Sequence, residues 1–185
     1  MKQRPAYTLI EEMITLFTIA ALMIVMVNMF ITANRFSTDE EQRIQVGETA
    51  ARALATLDNT LLEGRLVVAS GVVSGTTYTT SDTVLVLNLP SLVSGLPTSG
   101  NDVVVIQRNS STNSLEQLTA PAGGSSRTAG TVVLATGVND LYFRYTTDDP
   151  TSSTSVTVLV SSTKTANKLP FTRTTLLNET LRNHP

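Results

Sequence analysis

Ala6-Tyr7-Thr8-Leu9-Ile10-Glu11-Glu12 leads without a break into the uncharged run Met13-Ile14-Thr15-Leu16-Phe17-Thr18-Ile19-Ala20-Ala21-Leu22-Met23-Ile24-Val25-Met26-Val27, which continues to Ala33. The run 13–33 holds neither a charge nor a proline. At 1.5 Å per residue it spans roughly 32 Å as a helix, close to the hydrocarbon thickness of a bilayer. The apolar core of a cleaved secretory signal is shorter, about 7–15 residues, and a small-x-small cleavage site follows it. No such site follows here, so the segment reads as a retained membrane helix. Lys2 and Arg4 precede the run, whereas Arg35 is followed by Asp39, Glu40 and Glu41. The bias of basic residues places the N-terminus in the cytoplasm and the rest of the chain outside the inner membrane.

Helix is expected to continue well past the apolar run. No proline occurs between Pro5 and Pro90, and strong helix formers dominate residues 7–62. Beyond Arg35 the pattern turns amphipathic. Ile44, Ala51, Leu54, Leu57 and Leu61 form an apolar stripe, with Glu40, Glu41, Arg43, Glu48, Arg52 and Asp58 on other faces. Gly47 is the weak point of this helix and Gly64 its expected stop.

After Arg65 the period shortens to two. Short strands are expected at 66–70, 83–88, 102–107, 114–119, 131–136, 141–145, 155–160 and 171–181. The clusters at 91–100 and 120–130 read as loops, and a final hairpin turns across 164–170. Alternation of Val and Leu with Thr and Ser suggests sheets with one wet face. The fold class is therefore α+β: a long N-terminal helix laid on a mainly antiparallel β domain. The boundaries are a leader at 1–6, a membrane half of the helix at 7–33, an amphipathic half at 34–64 and an extracytoplasmic β domain at 65–185.

Composition narrows the chemistry. The chain has 185 residues, a net charge of −2, no cysteine and one histidine. Disulfides, thiolate metal sites and cysteine nucleophiles are excluded. His184, next to the last residue, supports no Ser-His-Asp arrangement. Asp148-Asp149 before Pro150 reads as a solvated turn more readily than as a calcium site. The bases Arg108, Arg127, Arg144, Lys164, Lys168 and Arg173 are offset by Asp102, Glu116, Asp140, Asp148, Asp149 and Glu179. This leaves no basic field for nucleic acid.

The N-terminal residues carry a resemblance. A basic leader, then Ala6-Tyr7-Thr8-Leu9-Ile10-Glu11, then an apolar helix is similar to the cleavage and methylation signal of type IV pilins and pseudopilins. The family pattern is a small residue, an aromatic, Thr-Leu, an aliphatic and Glu. Ala6 stands for the usual glycine and Tyr7 for the usual phenylalanine, while Glu12 replaces an apolar neighbour. The resemblance implies cleavage between Ala6 and Tyr7 by a prepilin peptidase and N-methylation of Tyr7. Thr8, Leu9, Ile10 and Glu11 would serve recognition and assembly. Glu11 would pair with the new terminal amine of a neighbouring pilin or pseudopilin subunit in a helical filament. The implied pilin-like fold places the helix on the sheet. No catalytic residue, metal or cofactor is implied.

The long Ser/Thr-rich β region without a terminal cysteine pair is similar to larger minor pilins and J-type minor pseudopilins. Two alternatives stand beside this reading. One is a membrane-anchored extracellular β domain that binds a ligand and never assembles; the other is a competence pilin for DNA uptake.

Overall fold

The computed structural model describes residues 9–166 and 169–181, and the chain divides into two compact units, Met1–Glu41 and Gln42–Pro185. A single helix, α1 (Leu9–Glu63), runs through both. Its end comes close to the expected one. Gly64 donates its N–H to the Leu61 carbonyl at 3.0 Å. A Cβ on Gly64 would lie 2.9 Å from that same carbonyl oxygen, so close approach selects glycine here.

Among its described residues the second unit contains ten strands: β1 (Leu66–Val67), β2 (Ser70–Val73), β3 (Thr76–Thr79), β4 (Val84–Val93), β5 (Leu96–Asn109), β6 (Ser114–Ala120), β7 (Gly130–Thr136), β8 (Val138–Tyr145), β9 (Ser155–Ala166) and β10 (Leu169–Thr180). They form a five-stranded sheet ordered β1-β4-β5-β6-β7, a three-stranded sheet ordered β10-β9-β8, and the hairpin β2-β3. Every ladder is antiparallel. At coarse scale this is the α+β arrangement read from the sequence.

The main core lies where α1 meets both larger sheets. Leu57 and Leu61 pack with Leu85, Leu87, Val104, Ile106, Phe143, Val156 and Val158. The buried helix residues are Val46, Ala50, Ala53, Leu54, Leu57, Thr60 and Leu61. Leu54, Leu57 and Leu61 belong to the expected stripe, but Ile44 and Ala51 are exposed. At 100° per residue both fall more than 90° from Leu57, and Val46, Ala50 and Ala53 hold the true line.

The sheet pattern also departs from the single wet face expected. A second, smaller core of Val73, Val86, Val105 and Leu118 lies on the other side of the five-stranded sheet, with Val73 supplied by the β2-β3 hairpin. The central strands are thus covered on both faces, and Leu85, Val86 and Leu87 are all fully buried. Continuous apolar runs belong to such strands. Gly71, the residue just past the strand expected at 66–70, sits inside β2. A Cβ there would come within 2.5 Å of Val103 Cγ1 and 2.9 Å of Val86 Cγ1, so glycine lets the hairpin lie on the sheet.

The expected loop at 91–100 is mostly strand as well. Ser94 and Gly95, with φ of 51° and 80°, form a tight turn, and β4 and β5 pair on either side of it. Ser74 and Gly75 repeat the device between β2 and β3 with φ of 51° and 82°. β8 is tied to the turn before β4: Phe143 N–H donates to the Asp82 carbonyl at 2.7 Å, and the Tyr145 hydroxyl donates to the Ser81 carbonyl at 2.7 Å. Burial first, and the nearby Asp82 charge second, push the Tyr145 phenol well above its ordinary range and keep it a donor.

Candidate functional site

Ala6, Tyr7 and Thr8, which carry the expected cut and methylation, lie outside the described residues, as do the leader 1–6, Lys168 and His184. The described part of the signal begins with Leu9, Ile10 and Glu11. All three are exposed in the opening turns of α1, Leu9 by 76%. Glu11 and Glu12 both occupy the first turn. Carboxylates there meet the positive end of the helix dipole. Consecutive residues point 100° apart, so the two carboxylates leave the helix on different faces.

Every residue from 9 to 38 is exposed. This part of α1 includes an 18-residue window with a mean hydropathy of 2.4, none of it buried. Residues 19–27 are apolar without interruption. Nine successive residues at 100° leave no polar face on those turns. Phe17, 77% exposed, and Met13, Met26 and Phe30 point outward with no cover from the protein itself. A helix apolar all round is stable only when buried in lipid or among other helices.

The few polar groups in this stretch are arranged for such surroundings. Thr15 donates its hydroxyl to the Glu11 carbonyl at 2.7 Å, Thr18 to that of Ile14 at 2.8 Å, and Thr32 to that of Asn28 at 2.8 Å. Back-bonding of this kind satisfies a hydroxyl without water. The chain therefore has one described helix fit to span a membrane, consistent with a single-pass membrane protein.

The most elaborate polar arrangement lies in the second unit, and of its members only Asp102 and Arg127 stand out in the sequence, as two of the offsetting charges. Asp102, on β5, is fully buried. Its Oδ1 accepts from Ser91 Oγ at 2.8 Å and from the Ala122 N–H at 2.8 Å. Its Oδ2 accepts from Ser125 Oγ at 2.7 Å and Arg127 Nε at 3.0 Å. Arg127 continues to Glu63 Oε2, at 3.1 and 3.0 Å, and to the Pro90 carbonyl at 3.2 Å. The irregular register between Pro90 and Leu92 is where Ser91 bonds the carboxylate.

Burial is the largest influence on Asp102 and disfavours its charge. The Ala122, Ser125 and Ser91 hydrogen bonds, with the Arg127 charge, outweigh it and hold the carboxyl below its usual range. The network clasps the β6–β7 connection to the end of α1 and the β4-β5 hairpin. Its groups bond one another, an arrangement that ties these segments of the domain together.

Asp149 serves as the cap of a short 3-10 helix (Pro150–Ser152). Thr151 bonds it through both hydroxyl and N–H, and Ser152 adds a hydroxyl at 3.2 Å. These bonds, those of Thr151 foremost, lower its carboxyl from the ordinary value. Among the described residues no three His, Cys, Asp or Glu side chains converge as a metal site would require.

Several of the bases are tied into the domain. Arg108 donates to the Val138 carbonyl and Asn113, Arg127 belongs to the clasp, and Lys164 donates to Gln45 Oε1 at 2.6 Å. Arg43 lies over the Phe171 ring at 4.8 Å, and the Arg173 guanidinium covers Gly47.

No protein-family model, curated protein or solved structure matches this chain.

Proposed function

We propose that the chain is a structural subunit of a type IV pilus or of a type II secretion-like pseudopilus, stored in the membrane and assembled through its N-terminal helix. The observation that carries this reading is the uniformly exposed apolar half of α1. Lipid covers that surface before assembly, and the same surface on neighbouring subunits covers it afterwards. The hexapeptide from Ala6 to Glu11 adds the trigger. A prepilin peptidase cuts after Ala6 and methylates Tyr7, leaving a cation four residues before the Glu11 carboxylate. The leader stays on the cytoplasmic side and the β domain on the other.

Electrostatics supports a pairing role for Glu11. A charge in a membrane helix costs roughly 2.5–3.5 kcal/mol on insertion scales, and a buried ion needs a partner. The amine of a neighbouring subunit supplies one and sets the stagger between helices. Glu12, on another helix face, is not required for that pairing.

The test is a Glu11→Gln chain expressed beside the assembly machinery. Membrane insertion and folding of the β domain are expected to be normal, while the fraction recovered in sheared filaments falls. Incorporation at the wild-type level would overturn the pairing role.

A further inference from the structure

The uncharged run 13–33 holds four polar side chains, those of Thr15, Thr18, Asn28 and Thr32. The three threonines return their hydroxyls to their own helix, each to the carbonyl four residues back. Asn28 is the exception. It is exposed, and among the described residues its carboxamide has no hydrogen-bond partner. The Asn28 backbone carbonyl takes the Thr32 hydroxyl, but the side-chain oxygen and both amide N–H groups are left over. Back-bonding would not answer for them all. Asn59, which does bend back, gives one N–H to the Ala55 carbonyl at 3.3 Å, and its oxygen gains nothing from that bond. Asn28 lies five residues past Met23, the middle of the run, so about 7.5 Å from the midplane of a bilayer that the run spans. Lipid tails offer neither donor nor acceptor at that depth, and each unmet polar group is costly there.

Asn28 also belongs to a line of heptad spacing. Ile14, Thr18, Ala21, Val25, Asn28 and Thr32 follow one another in alternating steps of four and three. At 100° per residue these six, and no others in the run, fall within a band about 80° wide. Two helices that pack side by side meet along such a band. The surface is hollowed around Asn28: Val25, Asn28 and Thr32 line a groove with Met29, Ala33 and Phe36. Glu11 and Arg35, next on the same line, lie beyond the run at its two ends, so like charges meet only outside it.

We propose that α1 pairs with α1 of a second copy of this chain in the membrane, parallel and in register, with the two Asn28 carboxamides bonded to each other. The partner of Asn28 must bring both a donor and an acceptor to its depth. A second copy does so by its nature, because every copy inserts in the same direction and carries Asn28 at the same level. Each carboxamide donates an N–H to the oxygen of the other, and their partial charges are complementary about a two-fold axis along the membrane normal. That axis keeps both helices running the same way, as a single-pass membrane helix requires. A lone Asn on a heptad line fixes the register and number of helices, and side-chain amides join helices across a membrane interface. The pair covers one band of α1 and leaves its other faces to lipid. It needs only the membrane-spanning reading of α1, not entry into a filament.

The absence of cysteine lets single cysteines report this contact in the full-length chain. Phosphatidylcholine vesicles hold neither peptidase nor any other subunit. Failure there leaves the filament assignment standing, and failure of that assignment leaves the pair standing. Under mild oxidation by air, Ala21→Cys and Val25→Cys chains are expected to form disulfide-linked dimers, because residues on the shared band come within disulfide reach, about 4.4–6.8 Å between Cα atoms. A Met23→Cys chain is not. Met23 points away from the band, and its two copies lie roughly 13–15 Å apart. On the Ala21→Cys background, Asn28→Val weakens association about tenfold, read from the linked fraction as lipid is added. Asn28→Gln, which keeps a carboxamide, holds the linked fraction near that of the parent. Equal linking at 21 and 23, no linking at 21 and 25, or an Asn28→Val chain that links as its parent does would each overturn the proposal. In cell membranes, a Val25→Cys chain that links only to a different protein would overturn it too, by showing another membrane helix to be the partner.

Discussion

Asp102 shows what a single residue decides. It shares the parity of Val104 and Ile106 on β5, so it points toward the buried face and must have partners. That parity was readable from Asp102-Val103-Val104-Val105-Ile106. The partners were not, because Ser91, Ala122, Ser125 and Arg127 reach it from distant parts of the chain. Replacing Asp102 with Ala takes the acceptor from Ser91, Ser125 and the Ala122 N–H and leaves Arg127 only its Glu63 and Pro90 partners, and is expected to cost about 3–5 kcal/mol in denaturant unfolding. The pH dependence follows from the lowered carboxyl. The stability it contributes is complete above the ordinary value of 3.8 and is lost as pH falls through the lower folded value. Urea unfolding of Asp102→Asn and wild type should therefore differ at pH 7 and converge in acid below that range.

Among elements, α1 was the most legible. Its expected span of 7–62 compares with an observed Leu9–Glu63. What the spacing misjudged was the rotation of the amphipathic half, since a mix of three-, four- and seven-residue steps admits more than one line. Leu57→Ala, at a fully buried position, is expected to destabilise the domain by about 2–5 kcal/mol. Ile44→Ala, at a position 60% exposed, should change thermal stability by less than about 0.5 kcal/mol.

The hairpins were harder to see. The Val-Ser-Gly segments at 73–75 and 93–95 are two-residue turns, yet 93–95 lies within a Gly-, Pro- and Ser-rich stretch that reads as loop. Gly95→Val places a β-branched residue at φ 80° and is expected to cost about 1–2 kcal/mol, measurable by thermal unfolding.

For the whole molecule, the two units place opposite demands on solvent. The unit from Gln42 buries its apolar side chains in two cores of its own. The exposed residues 9–38 bury none, and their apolar surface must be covered by something other than this chain. That contrast was plain in the sequence, because an uncharged run of this length has few readings. The surroundings that cover the helix are not encoded in its hydropathy, since lipid and like helices satisfy the same surface. Under the function proposed above, the hexapeptide before the run is what would distinguish a permanent anchor from a subunit released into a filament. Mass spectrometry of the mature N-terminus, in cells with an active prepilin peptidase, tests this most directly. A chain beginning at N-methylated Tyr7 is the result expected, and an Ala6→Asp chain should retain its leader. A wild-type chain that still begins at Met1 would contradict the account.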